Sequence, residues 1–377
     1  MRFAHLSDLH LGKYLNQYSL LEDQEYILKQ ILRIIQEQDI ETVLIAGDVY
    51  DRPVPPGEAV ALFDDFLSRL AEDQRKVFII SGNHDSPERI AFASRLIAGS
   101  GVYLSPVFHG EIRPVRLEDS YGPVNFYMLP FIRPVHARHY FPEEEIHSYT
   151  DAVRSAIAHM NVDEKERNIL LAHQFVTGAS RSDSEDISVG GLDNVDADVF
   201  DGFDYVALGH LHRAQNVGDQ KIRYCGTPLK YSFSECRDEK TVSIVELREK
   251  GKLQVETVPL VPLRDMVEME GKFQDVTVPS FYENVDTDAF IRMTLTDEKE
   301  VRDAFSRLRM VYPNIMAMDY KGRTYQRAQE TGNPGGMASL HPSDLFCRFY
   351  QEMNGEPVGE AQTQYLQEKI GKIWEEV

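Results

Sequence analysis

Five short apolar runs in this chain stop at side chains able to bind a metal, and that recurrence limits what the chain can fold into. The clearest is Val43-Leu44-Ile45-Ala46, followed by Gly47 and Asp48. An unbroken apolar run of this length reads as a strand buried on both faces, as in a parallel sheet flanked by helices. Gly47 lets the backbone turn sharply where the strand ends. Asp48 then stands at the C-terminal edge of the sheet, where open α/β sheets place their ligands. The same order recurs at residues 3–6 before Asp8 and His10, and at 77–80 before Asn83, His84 and Asp85. It recurs again at 169–172 before His173, and at 205–208 before His210 and His212.

The stretches between these runs complete an α/β reading. Ile27, Ile31, Ile34 and Ile35 recur at helical spacing within residues 20–38. Leu62, Phe63, Phe66, Leu67 and Leu70 do so within 58–72, and a third helix is expected at 89–97. Strand and helix alternate, which predicts a mostly parallel start. From Gly101 the apolar runs, such as 111–115 and 124–129, are short and broken by Gly, Pro and Asp, which predicts antiparallel sheet. A helix at 150–160 follows, then a polar stretch at 177–191, read as a surface loop near the site. Strands at 222–225 and 240–247 close a first unit at residue 262. A second unit, 263–330, reads as strand 273–278, strand 289–295, helix 299–309 and strand 315–320. A Gly- and Pro-rich linker at 331–340 leads to two helices in 341–377. Their stripes, Leu345, Phe346, Phe349 and Tyr350, then Tyr365, Leu366, Ile370, Ile373 and Trp374, are too short to form a core alone and need a partner.

Asp8 and His10 are two apart, as are His210 and His212. On an extended chain, positions i and i+2 share a side, so each pair can aim both ligands at one ion. Asp48 has two carboxylate oxygens and could bridge two ions. Asn83 offers a neutral oxygen and His173 a further nitrogen. This mixed nitrogen and oxygen set suits Mn, Fe or Zn better than Mg or Ca. Two such ions, roughly 3.5–4 Å apart, can clamp a phosphate during in-line displacement. His84, with Asp85 beside it, makes a general acid oriented by a carboxylate. Arg89, one helical turn beyond, could steady a phosphate, although a solvated helix position is its commoner use. Asp51 reads as a turn residue beside the site. His5, His109, His136, His139, His147, His159 and His341 read as core or surface histidines.

A net charge of -21 argues against a general nucleic-acid coat, which wants Lys and Arg. It leaves room for an enzyme acting on phosphates, because divalent ions add local positive charge. The three cysteines are scattered and form no disulfide framework, which fits a reducing cytoplasm. No stretch has the character of a signal peptide or the length of a membrane span.

Asp8-Leu9-His10, Gly47-Asp48, Gly82-Asn83-His84-Asp85, His173 and Gly209-His210-Leu211-His212 together resemble the calcineurin-like metallophosphoesterase superfamily over about the first 215 residues. Ser182-Asp183-Ser184-Glu185, residues 205–212 and Tyr224-Cys225-Gly226-Thr227-Pro228-Leu229 narrow the resemblance. They look like the bacterial nuclease subunits of that superfamily, relatives of the double-strand-break nuclease of archaea and eukaryotes. The resemblance implies an α/β fold: a metallophosphoesterase β-sandwich flanked by helices, a small α+β capping, DNA-contacting domain, and C-terminal helices. It implies two divalent ions, manganese first among them. One would sit on Asp8, His10, Asp48 and His212, the other on Asp48, Asn83, His173 and His210, with His84 as catalytic acid. The archaeal and eukaryotic relatives carry a histidine a few residues past the bridging Asp, where this chain has Asp51.

The implied activity is 3′-to-5′ exonuclease cutting of duplex ends and endonuclease cutting of single strands, in DNA repair, recombination and replication. The implied partners are DNA, a second copy of the chain, and a coiled-coil ATPase held by residues 341–377 within a heterotetramer. Two rival readings use the same residues. A phosphodiesterase of small molecules would need neither the capping unit nor the helical tail. A non-catalytic scaffold would not need a complete ligand set.

Overall fold

The computed structural model describes residues 1–180, 182, 185, 193–283, 285–321, 359 and 362. The linker at 331–340 and the expected helices at 341–377 therefore lie outside the described residues, the two isolated positions apart.

Two six-stranded sheets face each other. The first contains β1 (Arg2–Leu6), β2 (Thr42–Ile45), β3 (Lys76–Ile79), β4 (Val102–Leu104), β11 (Thr241–Leu247) and β12 (Leu253–Pro259), in the order β12-β11-β1-β2-β3-β4. The second contains β5 (Val115–Asp119), β6 (Gly122–Met128), β7 (Arg167–His173), β8 (Tyr205–Gly209), β9 (Gln215–Asn216) and β10 (Ile222–Tyr224), in the order β9-β10-β8-β7-β6-β5. The apolar runs are continuous because each strand is covered twice. Leu44 points into the interior between the sheets with Phe3, Phe78, Phe126, Ile169, Leu171 and Tyr205. Its neighbours Val43 and Ile45 point the other way, under helices α1 (Leu21–Glu37) and α2 (Gly57–Ala71). Phe78 stacks on Phe126 across the sandwich with ring centroids 4.4 Å apart. A second pair of helices, α3 (Pro134–Tyr140) and α4 (Tyr149–Ala158), packs near the outer face of the second sheet around Val153, Ala156, Leu170 and Val206. The layers run helix, sheet, sheet, helix, as the resemblance implies.

Several local expectations change. The second sheet is mostly parallel: β6, β7, β8 and β10 pair in one direction, and only the outer pairings β5–β6 and β9–β10 are antiparallel. Gly and Pro breaks suggested hairpins, but α3 and α4 cross between β6 and β7 and return the chain in the same direction. The run at 111–115 joins the sheet only at Val115. The helix expected at 89–97 is two short ones, Pro87–Ile90 and Ser94–Ile97, separated where Ala93 takes a left-handed φ of 58°. Strand β12 was hidden by its polar, half-exposed residues.

The second unit, expected to cap the site, is a parallel sheet of β13 (Met266–Gly271), β14 (Phe290–Leu295) and β15 (Ile315–Tyr320), with β14 in the middle. Its first strand precedes the expected one. Phe273–Val276 is a helical turn whose Phe273 and Val276, three apart, are both buried. The helix expected at 299–309 contracts to Ala304–Leu308. Met266, Phe290 and Met316 join the apolar cluster under α1, and Arg264 pairs with Glu22 and Asp23 of that helix. Among the described residues no helix is long and apolar enough to cross a membrane.

Candidate metal centre

β1, β2 and β3 run parallel in one sheet, and β7 and β8 in the other. The seven proposed ligands follow, or end, these five strands at their C-terminal ends. Two glycines let those ends close on each other. A Cβ on Gly209 would lie 2.0 Å from the Ala46 carbonyl oxygen, and one on Gly82 would lie 2.2 Å from Asp48 Oδ1. Across the gap, His173 Nδ1 donates to Ala46 O at 2.8 Å, and the His210 N–H donates to the Asp8 carboxylate at 3.0 Å.

Immediately past the strands the backbone is strained. Asp8, His10, Asp48 and His210 all have positive φ, of 52°, 44°, 48° and 102°. Side-chain-bearing residues avoid this region, at a cost of roughly 1–3 kcal/mol each, and keep it where a site demands it. Backbone hydrogen bonds hold the shape: Asp8 N–H to Gly47 O at 2.9 Å and His10 N–H to Asp48 O at 3.0 Å. The i, i+2 argument from an extended chain therefore needs correction. Asp8 and His10 converge through left-handed turns. His210 and His212 do not converge at all but turn to opposite ends of the centre.

At one end, His10 Nε2 and His212 Nε2 face each other at 3.2 Å, and Asp8, His10 and His212 form one cluster of candidate ligand atoms. At the other, Asn83 Oδ1 lies 2.9 Å from both His173 Nε2 and His210 Nδ1. Asp48 stands between, with Oδ2 3.3 Å from His173 Nε2 and 3.7 Å from His10 Nε2. Atoms that share a cation at about 2.0–2.2 Å stand roughly 3–3.5 Å from one another, so these spacings fit a pair of ions.

The charges fit as well. Asp8 and Asp48 are fully buried among the ligands. Burial pushes the Asp8 carboxyl up to about 6, helped by the charge of Asp48 and opposed by His173 and His212. Burial would raise Asp48 too, but His173 and His10 outweigh it and hold that carboxyl well below its ordinary range. Burial disfavours a charged His173, yet Asp48 draws it up to about 9. The buried carboxylates thus pull positive charge into the centre. Burial keeps His10 well below the ordinary histidine range, in the neutral form that ligates.

His84 edges against His10, ring centroids 4.8 Å apart, and its own N–H donates to Asp48 Oδ1 at 2.8 Å. The pairing of His84 with Asp85 needs correction. The Asp85 carboxylate is buried and accepts the backbone N–H groups of Val49, Tyr50 and Gly82 at 2.9–3.1 Å. It staples the two ligand loops together, while His84 Nδ1 pairs with the Asp51 carbonyl. Arg89 lines a groove with Tyr50, Phe63, Leu67 and Phe92, among which none of the ligands is found.

Sequence reasoning missed the residues beneath the ligands. Glu185 Oε1 accepts the His212 N–H at 2.6 Å, which ties Glu185 to the centre. Lys240 Nζ donates to His212 O, Thr227 Oγ1 and Glu235 Oε2. Tyr231 donates to Leu9 O at 2.5 Å, and Gln24 to His10 O at 2.8 Å. The quoted Ser182–Glu185 and Tyr224–Leu229 motifs were the one signal for part of this layer, without its role.

The family profile of the calcineurin-like phosphoesterases matches residues 1–214, and that of the type 5 capsule protein repressor C-terminal domain matches 262–354. A Staphylococcus epidermidis protein named as the D subunit of the nuclease SbcCD is 33% identical over 322 residues, covering 84% of this chain and 85% of its own length. A Staphylococcus saprophyticus protein of the same name is 30% identical over 380 residues, covering 100% and 99%. Among solved structures, a dimetal phosphatase from Danio rerio aligns with 70% of this chain and 98% of its own, at 12% identity and a TM-score of 0.41. The protein TT1561 of Thermus thermophilus aligns with 68% and 98%, at 13% identity and a TM-score of 0.39.

Proposed function

The chain belongs to the calcineurin-like phosphoesterase family, in the branch of the SbcCD nuclease D subunits, and we propose from that premise that it cuts DNA as the nuclease partner of an SbcC-like coiled-coil ATPase. The observation that carries this reading is the double convergence on Asp48. Asn83, His173 and His210 gather on one side of it, and Asp8, His10 and His212 on the other.

In this reading Asp8, His10, Asp48 and His212 would hold one divalent ion and Asp48, Asn83, His173 and His210 the second, with manganese suited to the mixed donors. Ions held there would supply Lewis acidity toward the phosphodiester and lower the pKa of an attacking water. His84 gives a proton to the departing sugar oxygen. The Asp85 staple and the Glu185 contact keep the loops in register, so that groups from both sheets meet one phosphate. Duplex ends are degraded 3′ to 5′ and single strands are cut internally.

The capping unit, tied to α1 by Arg264 and by the packing of Met266, Phe290 and Met316, is proposed to guide DNA toward the centre. Residues 341–377 dock on the ATPase. For a homodimer within a heterotetramer, the exposed apolar side chains of Phe92, beside Phe63 and Leu67 of α2, and of Leu96, 79% and 83% accessible, offer a face that a second copy would cover. A reducing cytoplasm fits the buried free thiol of Cys225.

The purified chain, incubated with duplex and single-stranded DNA in Mn2+, Mg2+, Zn2+ or EDTA, tests the core of this. Cutting should need a divalent ion and should fall at least about a hundredfold in Asp48→Asn. Metal-independent cutting, or undiminished cutting by the variant, would refute it.

A further inference from the structure

His10 and His212 are arranged as near mirror images. Their Nε2 atoms face each other, and each Nδ1 looks outward at a carboxylate: Asp51 Oδ1 lies 3.7 Å from His10 Nδ1, and Glu235 Oε1 lies 3.7 Å from His212 Nδ1. Each carboxylate is backed by a lysine, Asp51 by Lys13 at 2.7 Å and Glu235 by Lys240 at 2.5 Å. Each lysine residue also touches the backbone of its own histidine. The Lys13 N–H donates to His10 O at 3.1 Å, and Lys240 Nζ to His212 O at 2.9 Å. One ring, Tyr231, packs edge-on against both imidazoles.

His10 Nδ1 is buried and has no hydrogen-bond partner among the described residues. A neutral imidazole carries one N–H and one lone pair. With its hydrogen on Nδ1, toward a carboxylate, its lone pair is on Nε2, toward the other histidine. Two lone pairs meeting at 3.2 Å repel unless a cation lies between them. At 3.7 Å the outer pairs act through charge rather than as hydrogen bonds. They still favour the hydrogen on Nδ1.

We propose that Asp51 and Glu235 are positioning residues that hold His10 and His212 in the Nε2-ligating tautomer, with Lys13 and Lys240 fixing the two carboxylates in place. The inference rests on the reading that these histidines share an ion. It also gives Asp51 a role of its own.

The test is calorimetric titration of the full chain with Mn2+, for the wild type, Asp51→Asn, and Glu235→Gln combined with Lys240→Met. The double substitution removes the buried pair together, so no lone ammonium is left. Thermal unfolding in EDTA checks the fold. The wild type should bind two ions. Each variant should lose about ten- to hundredfold in one binding step and keep the other, because outer partners of ligating histidines carry an effect of that size. Asp51→Asn decides alone should the double variant unfold. Two steps within about twofold of wild type, or an equal loss in both, would overturn the positioning role while leaving the ion sites standing. A wild type that binds no Mn2+ would overturn the ion sites themselves, and this inference with them.

Discussion

His84 Nδ1 donates to the backbone oxygen of Asp51 at 3.1 Å. A carbonyl only accepts, so Nδ1 carries a hydrogen and Nε2 is the nitrogen left to exchange a proton. The imidazole is thus oriented by main chain, and through the His84 N–H its backbone is fixed to the bridging Asp48.

If His84 protonates the leaving oxygen, His84→Asn should cut DNA about 10²- to 10⁴-fold more slowly. Hydrolysis of bis-p-nitrophenyl phosphate, whose leaving group needs no proton, should fall far less. Mn2+ titration should stay near wild type. Parallel losses on both substrates would remove the acid role.

Gly209 sits where the sheets touch. A methyl there would strike Ala46 O at 2.0 Å and His173 Nδ1 at 2.7 Å, and neither backbone nor ring can yield without breaking their 2.8 Å hydrogen bond. Gly209→Ala should destabilise by about 1–3 kcal/mol in urea unfolding and weaken Mn2+ binding. Gly57→Ala, which meets nothing within 4 Å, is the control and should change stability by less than about 0.5 kcal/mol. Equal behaviour of the two would show that the close approach is dispensable.

The frame of the centre was legible because it is local. Each strand and the residues after it are contiguous, so Val43 to Asp48 and Tyr205 to His212 announce themselves. What sequence hides is set by tertiary contact. Glu235 and Lys240 look like surface charges, yet both are buried beneath His212, and nothing in their neighbours tells of it. Asp85 stands beside His84 in the chain, and adjacency suggested partnership. The fold turned its carboxylate to three backbone N–H groups, a demand that sequence does not display. The direction of the second sheet was missed for a related reason. Pairing sense depends on the crossover through α3 and α4, not on the composition of the strands.

Arg167 is buried and donates to both oxygens of Asp119, at 2.5 and 3.1 Å, and to the carbonyls of Gly122 and Arg248. Burial raises the Asp119 carboxyl, but the Arg167 hydrogen bonds, the N-terminal ammonium and the Tyr121 N–H together outweigh it and hold the group well below its ordinary range. A carboxyl depressed in the folded state gives its full stabilisation above its unfolded value of about 3.9, and loses it as pH falls toward the folded value. Asp119→Asn should therefore cost about 1–3 kcal/mol at pH 7, since the hydrogen bonds to Arg167 lose their charged acceptor while its carbonyl partners remain. That gap should narrow below about pH 4. Urea unfolding in EDTA across this range reads it directly, and a gap that widened in acid would contradict the pairing.

Arg264 is the rivet between the capping unit and α1. It donates to both oxygens of the buried Asp23, at 2.7 and 3.0 Å, and to Glu22 at 2.5 Å, with its guanidinium over the Phe290 ring. Arg264→Ala strands a buried carboxylate, and the loss should reach up to about 3 kcal/mol because the pair is only partly open to water. The ligands of the centre lie elsewhere, so hydrolysis of bis-p-nitrophenyl phosphate should hold near wild type. Duplex cutting should fall severalfold if the cap guides DNA, because a cap that rocks on α1 no longer presents the strand to the ions in one orientation. Limited proteolysis should meanwhile cut faster near residues 260–266. A variant with a loosened cap and full duplex activity would show that the capping unit takes no part in placing DNA.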